Sequence, residues 1–315
     1  MSVAAVNVAF VRAKRPPDVR AERPDVKARR PRRADRLVPF LFIAPFLVSF
    51  LVFFAAPSVA SIILSFFRYR GYGAARWIGW QNYASLLKSP DFWESLRNTA
   101  FYWAVPIVPL LAGSFLLAVL VRSKLTRWPG VVKPLFFVPQ IMAPAAAALV
   151  WRVILSGNGV LNSILHTNVN WTSDPAAVRW SVVMLLVWRG FGWYFVVFLS
   201  GLTAVPDELL EAAEVDGASA RQRIIHVIMP IMRPIFLFAI VIDTIGAIQL
   251  FTEPNLLVGA ATSTVGAPPS AAPIMNQVIG NIVGGQFGLA AAVGWMIFIA
   301  GAVLSAIQFR LFRES

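Results

Sequence analysis

The sequence contains no cysteine in 315 residues and only two histidines, His166 and His226. The absence of cysteine excludes disulfides, thiolate metal sites and cysteine nucleophiles. Two isolated histidines argue against a metal centre built on imidazole ligands. Charged residues are also scarce, at 14% of the chain, where a soluble domain has about 25%. We therefore expect no metal site and no catalytic residues that depend on these side chains.

Hydrophobic residues are abundant, at 58% of the chain. A single core cannot bury that much apolar surface, because a soluble surface needs polar side chains. A bilayer core of about 30 Å is crossed by about 20 helical residues. The sequence predicts an all-α polytopic membrane protein with six transmembrane helices, over residues 37–67, 99–121, 135–155, 180–204, 231–251 and 289–309.

The net charge of +13 is concentrated at the start of the chain. Residues 1–36 hold eleven basic and four acidic residues, four prolines and few large apolar residues. This composition predicts a disordered basic arm that lies beside an anionic cytoplasmic leaflet, rather than a nucleic-acid-binding segment. The arm is too long and too acidic for the n-region of a signal peptide, so we expect no cleavage.

Lysine and arginine are distributed unevenly between the connections. Twenty basic residues fall on one side of the predicted spans and seven on or near the other. The positive-inside rule then places both termini in the cytoplasm. The connection between the first two spans is the exception, because it carries five basic residues on the predicted outer side.

The segment 205–234, between the fourth and fifth spans, predicts a helix–turn–helix on the cytoplasmic face, which we call the elbow. Pro206 suits the first position of a helix, where its missing N–H costs nothing. Asp207 and Glu208 stabilise the positive end of that helix. Gly217 supplies a turn in which a left-handed backbone is needed. The elbow is either a docking surface for another protein or an amphipathic loop on the membrane.

The elbow resembles the EAA motif of binding-protein-dependent ABC importer permeases. That motif is Glu-Ala-Ala, three residues, Gly, nine residues and Ile-x-Leu-Pro. This sequence has Glu211-Ala212-Ala213, three residues, Gly217, nine residues and Val227-Ile228-Met229-Pro230. Valine and methionine replace isoleucine and leucine, and both changes are apolar. Asp216-Gly217-Ala218 is similar to the carbohydrate-uptake permeases of the maltose/lactose type.

The resemblance covers most of the chain from about residue 37. The segments that carry it are 77–83, with Gly79 and Asn82-Tyr83; Asn98-Thr99; Phe136 to Gln140, with Trp151 further on; and Gln249 to Pro254. One departure lies in residues 258–273, where only Gly266-Ala267-Pro268 partly matches the Gly-Gly-Pro cluster of the family.

The resemblance implies a type I ABC importer permease fold in the bacterial inner membrane. It implies a second similar permease, an external solute-binding protein, a sugar substrate and two cytoplasmic ATPase subunits, which bind ATP and Mg²⁺. The ATPases would contact Glu211, Ala212, Ala213, Asp216, Gly217, Ala218 and Pro230. The sequence has no Gly-x-x-x-x-Gly-Lys-Ser/Thr phosphate loop, so we expect a non-enzymatic pore subunit with no cofactor of its own.

Ionisable residues within membrane spans are costly and mark substrate paths. Asp243 lies halfway along the fifth predicted span and Arg189 halfway along the fourth. We expect Asp243 to accept hydrogen bonds from sugar hydroxyls, and Trp188, Trp193 or Tyr194 to stack on the apolar faces of the sugar. Gln249 and Glu253 are further polar candidates. The alternative is an ion pair between Arg189 and Asp243, with the aromatic side chains facing lipid.

Two other functions remain open at this point. The first is an ABC importer permease for a polyol phosphate, a polyamine or an amino acid, because the EAA motif is shared among these classes. The second is an ion-coupled secondary carrier, which usually has internal repeats and more spans and would not explain the EAA spacing.

Overall fold

The computed structural model describes residues 33–123, 129–258 and 267–313. Residues 1–32 of the predicted arm and residues 259–266 of the atypical loop lie outside this range. Two compact units are present, residues 1–55 and 56–315.

The described part of the first unit is helical. Helix α1 (Arg33–Phe50) begins four residues before the predicted first span and is followed by a π-helical segment, Leu51–Ala55. Phe46, Phe50 and Phe54 stack along one face, with ring centroids 6.2 and 5.2 Å apart. Their spacing of four residues brings each ring beside the next turn of the helix.

The second unit contains the remaining elements. Its first half consists of α2 (Ala56–Leu64), β1 (Phe67–Arg68), β2 (Arg76–Trp77), α3 (Gln81–Lys88), α4 (Pro90–Arg122), α5 (Pro129–Ile141), α6 (Pro144–Ile154), α7 (Val160–Leu165) and α8 (Val178–Leu202). Its second half consists of α9 (Asp207–Val215), α10 (Ala220–Arg223), a π-helical turn (Ile224–Ile228), α11 (Met229–Ile248), α12 (Thr252–Val258), α13 (Met275–Val283) and α14 (Phe287–Arg313).

Within the described ranges, five helical stretches are long and apolar enough to cross a bilayer. They are Phe42–Leu64, Pro90–Arg122, Val178–Leu202, Ala220–Ile248 and Phe287–Phe312. Helices α5 and α6 form a sixth candidate as a bent pair. Large apolar side chains on these helices are exposed, such as Val108, Val153 and Phe298 at 66, 70 and 62%, as expected for surfaces that face lipid. The predicted six-helix membrane fold is confirmed when the bent pair counts as one span.

The third span, predicted over 135–155, is sharply bent, because α5 and α6 meet at 98°. Pro144 has no N–H to continue the helix, and a proline forces the residue before it out of the helical region. Ala143 accordingly has φ −55° and ψ 136°. Pro139, in contrast, lies inside α5 without ending it.

Helices α4 and α8 are neighbours that run parallel, since Phe101 meets Trp180 near their starts and Arg122 meets Leu202 at their ends, and they organise the second unit. Phe115 on α4 packs edge-on against Phe198 on α8, with centroids 5.7 Å apart, and the Ser114 hydroxyl donates to the Phe191 carbonyl at 2.8 Å. Helix α5 crosses α8 at Gly192, where a Cβ would lie 1.9 Å from the Phe136 carbonyl oxygen. Only glycine permits this close approach.

A short hairpin connects α2 to α3. Phe67 pairs with Trp77 and Arg68 with Arg76 in antiparallel register. The Asn82 side chain donates to the Ser65 and Phe67 carbonyls at 2.7 and 3.0 Å. Asn82 therefore fixes the end of α2 against α3, which gives a structural role to one residue of the family-like segment 77–83.

Candidate functional site

A polar cavity of about 390 Å³ lies between α4, α8 and α11, with α5 and α12 at its margin. Its lining includes Tyr102, Pro106, Gln140, Arg189, Gly190, Trp193, Tyr194, Asp243, Gly246 and Glu253. Five of the seven predicted path candidates line this cavity: Arg189, Trp193, Tyr194, Asp243 and Glu253. Such a concentration of polar groups within apolar helices distinguishes the cavity from the surrounding bundle.

Asp243 faces α8 across the cavity. The Tyr194 hydroxyl donates to Asp243 Oδ1 at 2.7 Å. Trp193 packs edge-on against Tyr194, with centroids 4.9 Å apart, and both rings line the cavity. This arrangement leaves carboxylate lone pairs and an aromatic surface in one small volume, and both are suited to a ligand that has hydroxyl groups and apolar faces.

Arg189 forms an ion pair with Glu253 on α12, with Nη1 2.6 Å from Oε1. The Glu253 side chain is 9% exposed and that of Arg189 21%, and Arg189 Nε is buried without a hydrogen-bond partner. The alternative Arg189–Asp243 ion pair is therefore wrong. Arg189 lies five residues from Tyr194, or about 7.5 Å along α8, which carries it past Asp243 to the level of α12.

Two predicted path residues lie away from the lining of this cavity. Trp188 packs against Trp151 of α6, with centroids 5.8 Å apart. Gln249 follows the last residue of α11, where its backbone N–H donates to the Ile245 carbonyl at 3.2 Å; the residue is exposed.

Gln140 and Tyr102 line the cavity although neither residue was predicted to lie on the path. Gln140 is a polar residue inside an apolar predicted span, and that signal was available from the sequence. Tyr102 gives no such signal, because its position beside the cavity depends on how α4 is rotated.

The segment 267–274 is fastened to α4 and α8. Asn98 donates to the Pro269 and Ala272 carbonyls at 2.8 and 3.0 Å, and the Tyr102 hydroxyl donates to the Ala271 carbonyl at 2.9 Å. Thr99 Oγ1 accepts from the Ile274 N–H at 2.8 Å, and Arg179 Nε donates to the Ser270 carbonyl at 2.8 Å. Side chains of α4 and α8 thus hold this segment at five backbone positions, residues 269, 270, 271, 272 and 274.

The elbow consists of α9, a tight turn, and the helix that continues into α11. Gly217 has φ +79°. The Gly217 N–H bonds to the Glu214 carbonyl and the Ala218 N–H to the Ala213 carbonyl, at 3.0 and 2.9 Å, a Schellman pattern that ends α9. The left-handed glycine predicted at this turn is confirmed.

The second elbow helix begins with a capping box. Ser219 Oγ accepts from the Gln222 N–H, and the Gln222 side chain accepts from the Ser219 N–H at 2.8 Å. Glu214 and Arg223 form an ion pair of 2.5 Å across the turn. These contacts fix the angle between α9 and the helix that follows.

The predicted coupling residues lie on the surface of the elbow. Glu211, Ala212, Asp216, Gly217 and Pro230 are exposed, and Ala213 and Ala218 are partly buried. Two apolar side chains accompany them, Leu209 at 47% and Val215 at 88% exposure. Among the described residues, no group of three or more His, Asp or Glu side chains is arranged to hold a metal ion.

Residues 107–314 match the family described as the inner membrane component of binding-protein-dependent transport systems. The chain belongs to this family. The match includes the elbow, α8 and α11, and it confirms the resemblance that rests on the EAA spacing. The helical bundle described above is therefore that of an ABC transporter permease.

Curated relatives match over most of their length. The probable ABC transporter permease protein YesP of Bacillus subtilis (strain 168) is 31% identical over 90% of this chain and 93% of that protein. The arabinooligosaccharides transport system permease protein AraP of the same organism is 30% identical over 88% of each. A crystal structure of a bacterial alginate ABC transporter, in complex with an alginate pentasaccharide-bound periplasmic protein, shares the fold. Its TM-score is 0.77 at 19% identity, over 89% of this chain and 96% of that one.

Proposed function

We propose that this chain is the permease subunit of an ATP-driven sugar importer and forms half of its translocation pathway. The observation that carries the proposal is the polar cavity, in which Asp243 and Tyr194 face Trp193 within an apolar bundle. Sugars need hydrogen-bonding groups for their hydroxyls and flat apolar surfaces for their ring faces. The relative named for arabinooligosaccharide transport supports the sugar class.

The proposed partners are a second, similar permease, an extracytoplasmic solute-binding protein and two ATPase subunits that bind ATP and Mg²⁺. The ATPases contact the elbow through Glu211, Ala212, Ala213, Asp216, Gly217, Ala218 and Pro230. The hydrogen-bonded left-handed turn at Gly217 and the exposed apolar side chains of α9 support this role. Both termini lie on the ATPase side, and the basic arm lies beside that leaflet.

Uptake by the complete complex in proteoliposomes tests the proposal. The complex contains this chain, the partner permease, both ATPases and the binding protein, and the probes are labelled arabinooligosaccharides, lactose and maltose. We expect ATP-dependent uptake of at least one of these sugars. Uptake of glycerol 3-phosphate, spermidine or an amino acid in place of every sugar would favour another solute class. Transport by this chain alone under an ion gradient would favour a secondary carrier.

A further inference from the structure

Arg122, the last residue of α4, contacts three successive parts of the chain at the start of the elbow. Its Nη2 lies 2.8 Å from the Val205 carbonyl oxygen and 2.6 Å from Asp207 Oδ1. Its Nη1 donates to the carbonyl of Leu202, the last residue of α8. One guanidinium thus joins the ends of α4 and α8 to the first residue of α9.

Arginine suits this position for two physical reasons. Its planar fork presents several N–H donors at fixed angles, whereas a lysine ammonium is a compact point charge. The last carbonyls of α8 have no partners within that helix and carry the negative end of its dipole, so a cation is stabilised beside them. Asp207 in turn stabilises the positive end of α9.

Helix α9 depends on such contacts because none of its residues is buried. It runs along a groove of about 390 Å³ whose lining includes Arg122, Leu210, Glu214 and Ile224. Leu210 is the side chain of α9 that packs, partly buried, against the core cluster formed by residues such as Phe115, Phe198 and Met232. An ion pair lies at each end of α9: Arg122–Asp207 at its N-terminus and Glu214–Arg223 near its C-terminus.

The two helices that Arg122 joins to α9 also form two walls of the polar cavity. Tyr102 and Pro106 lie on α4, and Arg189, Trp193 and Tyr194 lie on α8. The Ser114–Phe191 hydrogen bond and the Phe115–Phe198 contact hold these helices together between the cavity and Arg122. A displacement of α9 can therefore reach both walls through one side chain.

We infer that Arg122 is the positioning residue that transmits movement of α9 to the cavity walls, an inference that rests on the proposed coupling role of the elbow. In this arrangement, α9 and the ends of α4 and α8 move as one body when the ATPases close. Without the guanidinium, α9 still presents its surface to an ATPase, but its displacement is absorbed in the loop 203–206.

Because this chain has no cysteine, a single reporter thiol in it, combined with partner subunits whose cysteines have been replaced, allows a direct test in the complete complex. A Gln140→Cys reporter places one thiol on the cavity wall, and its rate of reaction with an impermeant methanethiosulfonate reagent is measured with and without MgATP and vanadate. The reporter is combined with Arg122→Gln or Arg122→Lys. Arg310→Gln is the matched control, since Arg310 is an exposed arginine near the end of another span.

We expect ATP with vanadate to change the reaction rate about tenfold in the parent and the Arg310→Gln control. The change should fall below about twofold in Arg122→Gln and be intermediate in Arg122→Lys, while the ATPases still co-purify and hydrolyse ATP. Loss of the ATP response in a complex that still assembles and hydrolyses ATP indicates a defect in transmission rather than in folding. If Arg122→Gln does not assemble, Asp207→Asn, which leaves both carbonyl contacts in place, decides by the same measurement.

If the reporter in an assembled Arg122→Gln complex responds to MgATP and vanadate as strongly as it does in the parent complex, the inference is overturned and the proposed function is left intact. A parent complex whose reporter does not respond to ATP at all would overturn the proposed function and the inference with it.

Discussion

Tyr194 on α8 donates a 2.7 Å hydrogen bond to Asp243 on α11, and this bond joins two helices across the polar cavity. The contact places the carboxylate without neutralising it, because a phenol is an uncharged donor. Arg189, the nearest candidate counter-ion in the sequence, is instead paired with Glu253. Asp243 thus retains lone pairs for a ligand.

Replacement of Asp243 by asparagine tests this role. The amide oxygen still accepts from Tyr194, so assembly should be preserved, but a hydrogen bond to a sugar hydroxyl loses its charge assistance. We expect affinity to fall about 5- to 30-fold, or about 1–2 kcal/mol, measured as the sugar dependence of ATP-driven uptake. Tyr194→Phe, which keeps the charge, is the comparison and should cost less. Undiminished uptake in Asp243→Asn would show that Asp243 does not contribute to sugar binding along the path.

The ion pair between Arg189 and Glu253 predicts a stability effect. Glu253→Gln leaves a largely buried guanidinium without its counter-ion, which costs about 3 kcal/mol when such a pair is fully buried and less where cavity water reaches Arg189. We expect a lower unfolding temperature of the purified complex in detergent. The double variant Arg189→Gln with Glu253→Gln should recover part of the loss. A double variant less stable than Glu253→Gln alone would contradict a compensating pair.

Gly217 should tolerate asparagine better than aspartate or alanine. Its φ of +79° costs a residue with a Cβ about 1–2 kcal/mol, and asparagine visits this region more readily than alanine. A Cβ would have no atom within 4 Å, so the cost is conformational rather than steric. At equal membrane levels we expect uptake to decrease from Gly217→Asn through Gly217→Ala to Gly217→Asp, the last because aspartate also adds a negative charge to the proposed docking surface. Glu211→Lys should also block uptake, because it reverses the charge of a residue on the proposed docking surface for the ATPases. Full uptake in Gly217→Asp would contradict the role of the turn.

The orientation of the chain can be tested with single cysteines. Ala74→Cys lies in the connection predicted to face outward, and Ser219→Cys lies in the elbow; both positions are exposed. An impermeant thiol reagent applied to intact cells with a permeable outer envelope should label Ala74→Cys only. Labelling of both after lysis is the control, and labelling of Ser219→Cys alone in intact cells would reverse the topology.

The sequence was sufficient to predict the number of spans and the turn at Gly217, because both depend on local features. Hydrophobic length decides a span, and the need for a left-handed residue decides the turn. Pro144 inside the third predicted span favours a bend there, but the sequence does not give its size, because prolines inside membrane helices are often accommodated, as Pro139 is. Proline alone does not separate these outcomes.

The partners of Arg189 and Asp243 could not be predicted in the same way. Each depends on the relative height and rotation of three helices, and a shift of five residues along α8 changes which carboxylate an arginine meets. The cluster of Arg189, Trp193 and Tyr194 was nevertheless identifiable, since polar and aromatic residues rarely interrupt an apolar span without a local purpose.

The hydrogen bonds of Asn98, Thr99 and Tyr102 have a consequence for the biogenesis of the protein. Their partners lie 169 to 175 residues further along the chain. A ribosome delivers α4 to the insertion machinery long before it has synthesised residues 269–274. These side chains therefore lack their partners while three further candidate spans are inserted: the α5–α6 pair, α8 and the span that ends with α11. Closing so long a loop is entropically costly. The attachment of 267–274 is therefore a late event, and of the candidate spans in the described residues only the one in α14 is synthesised after it.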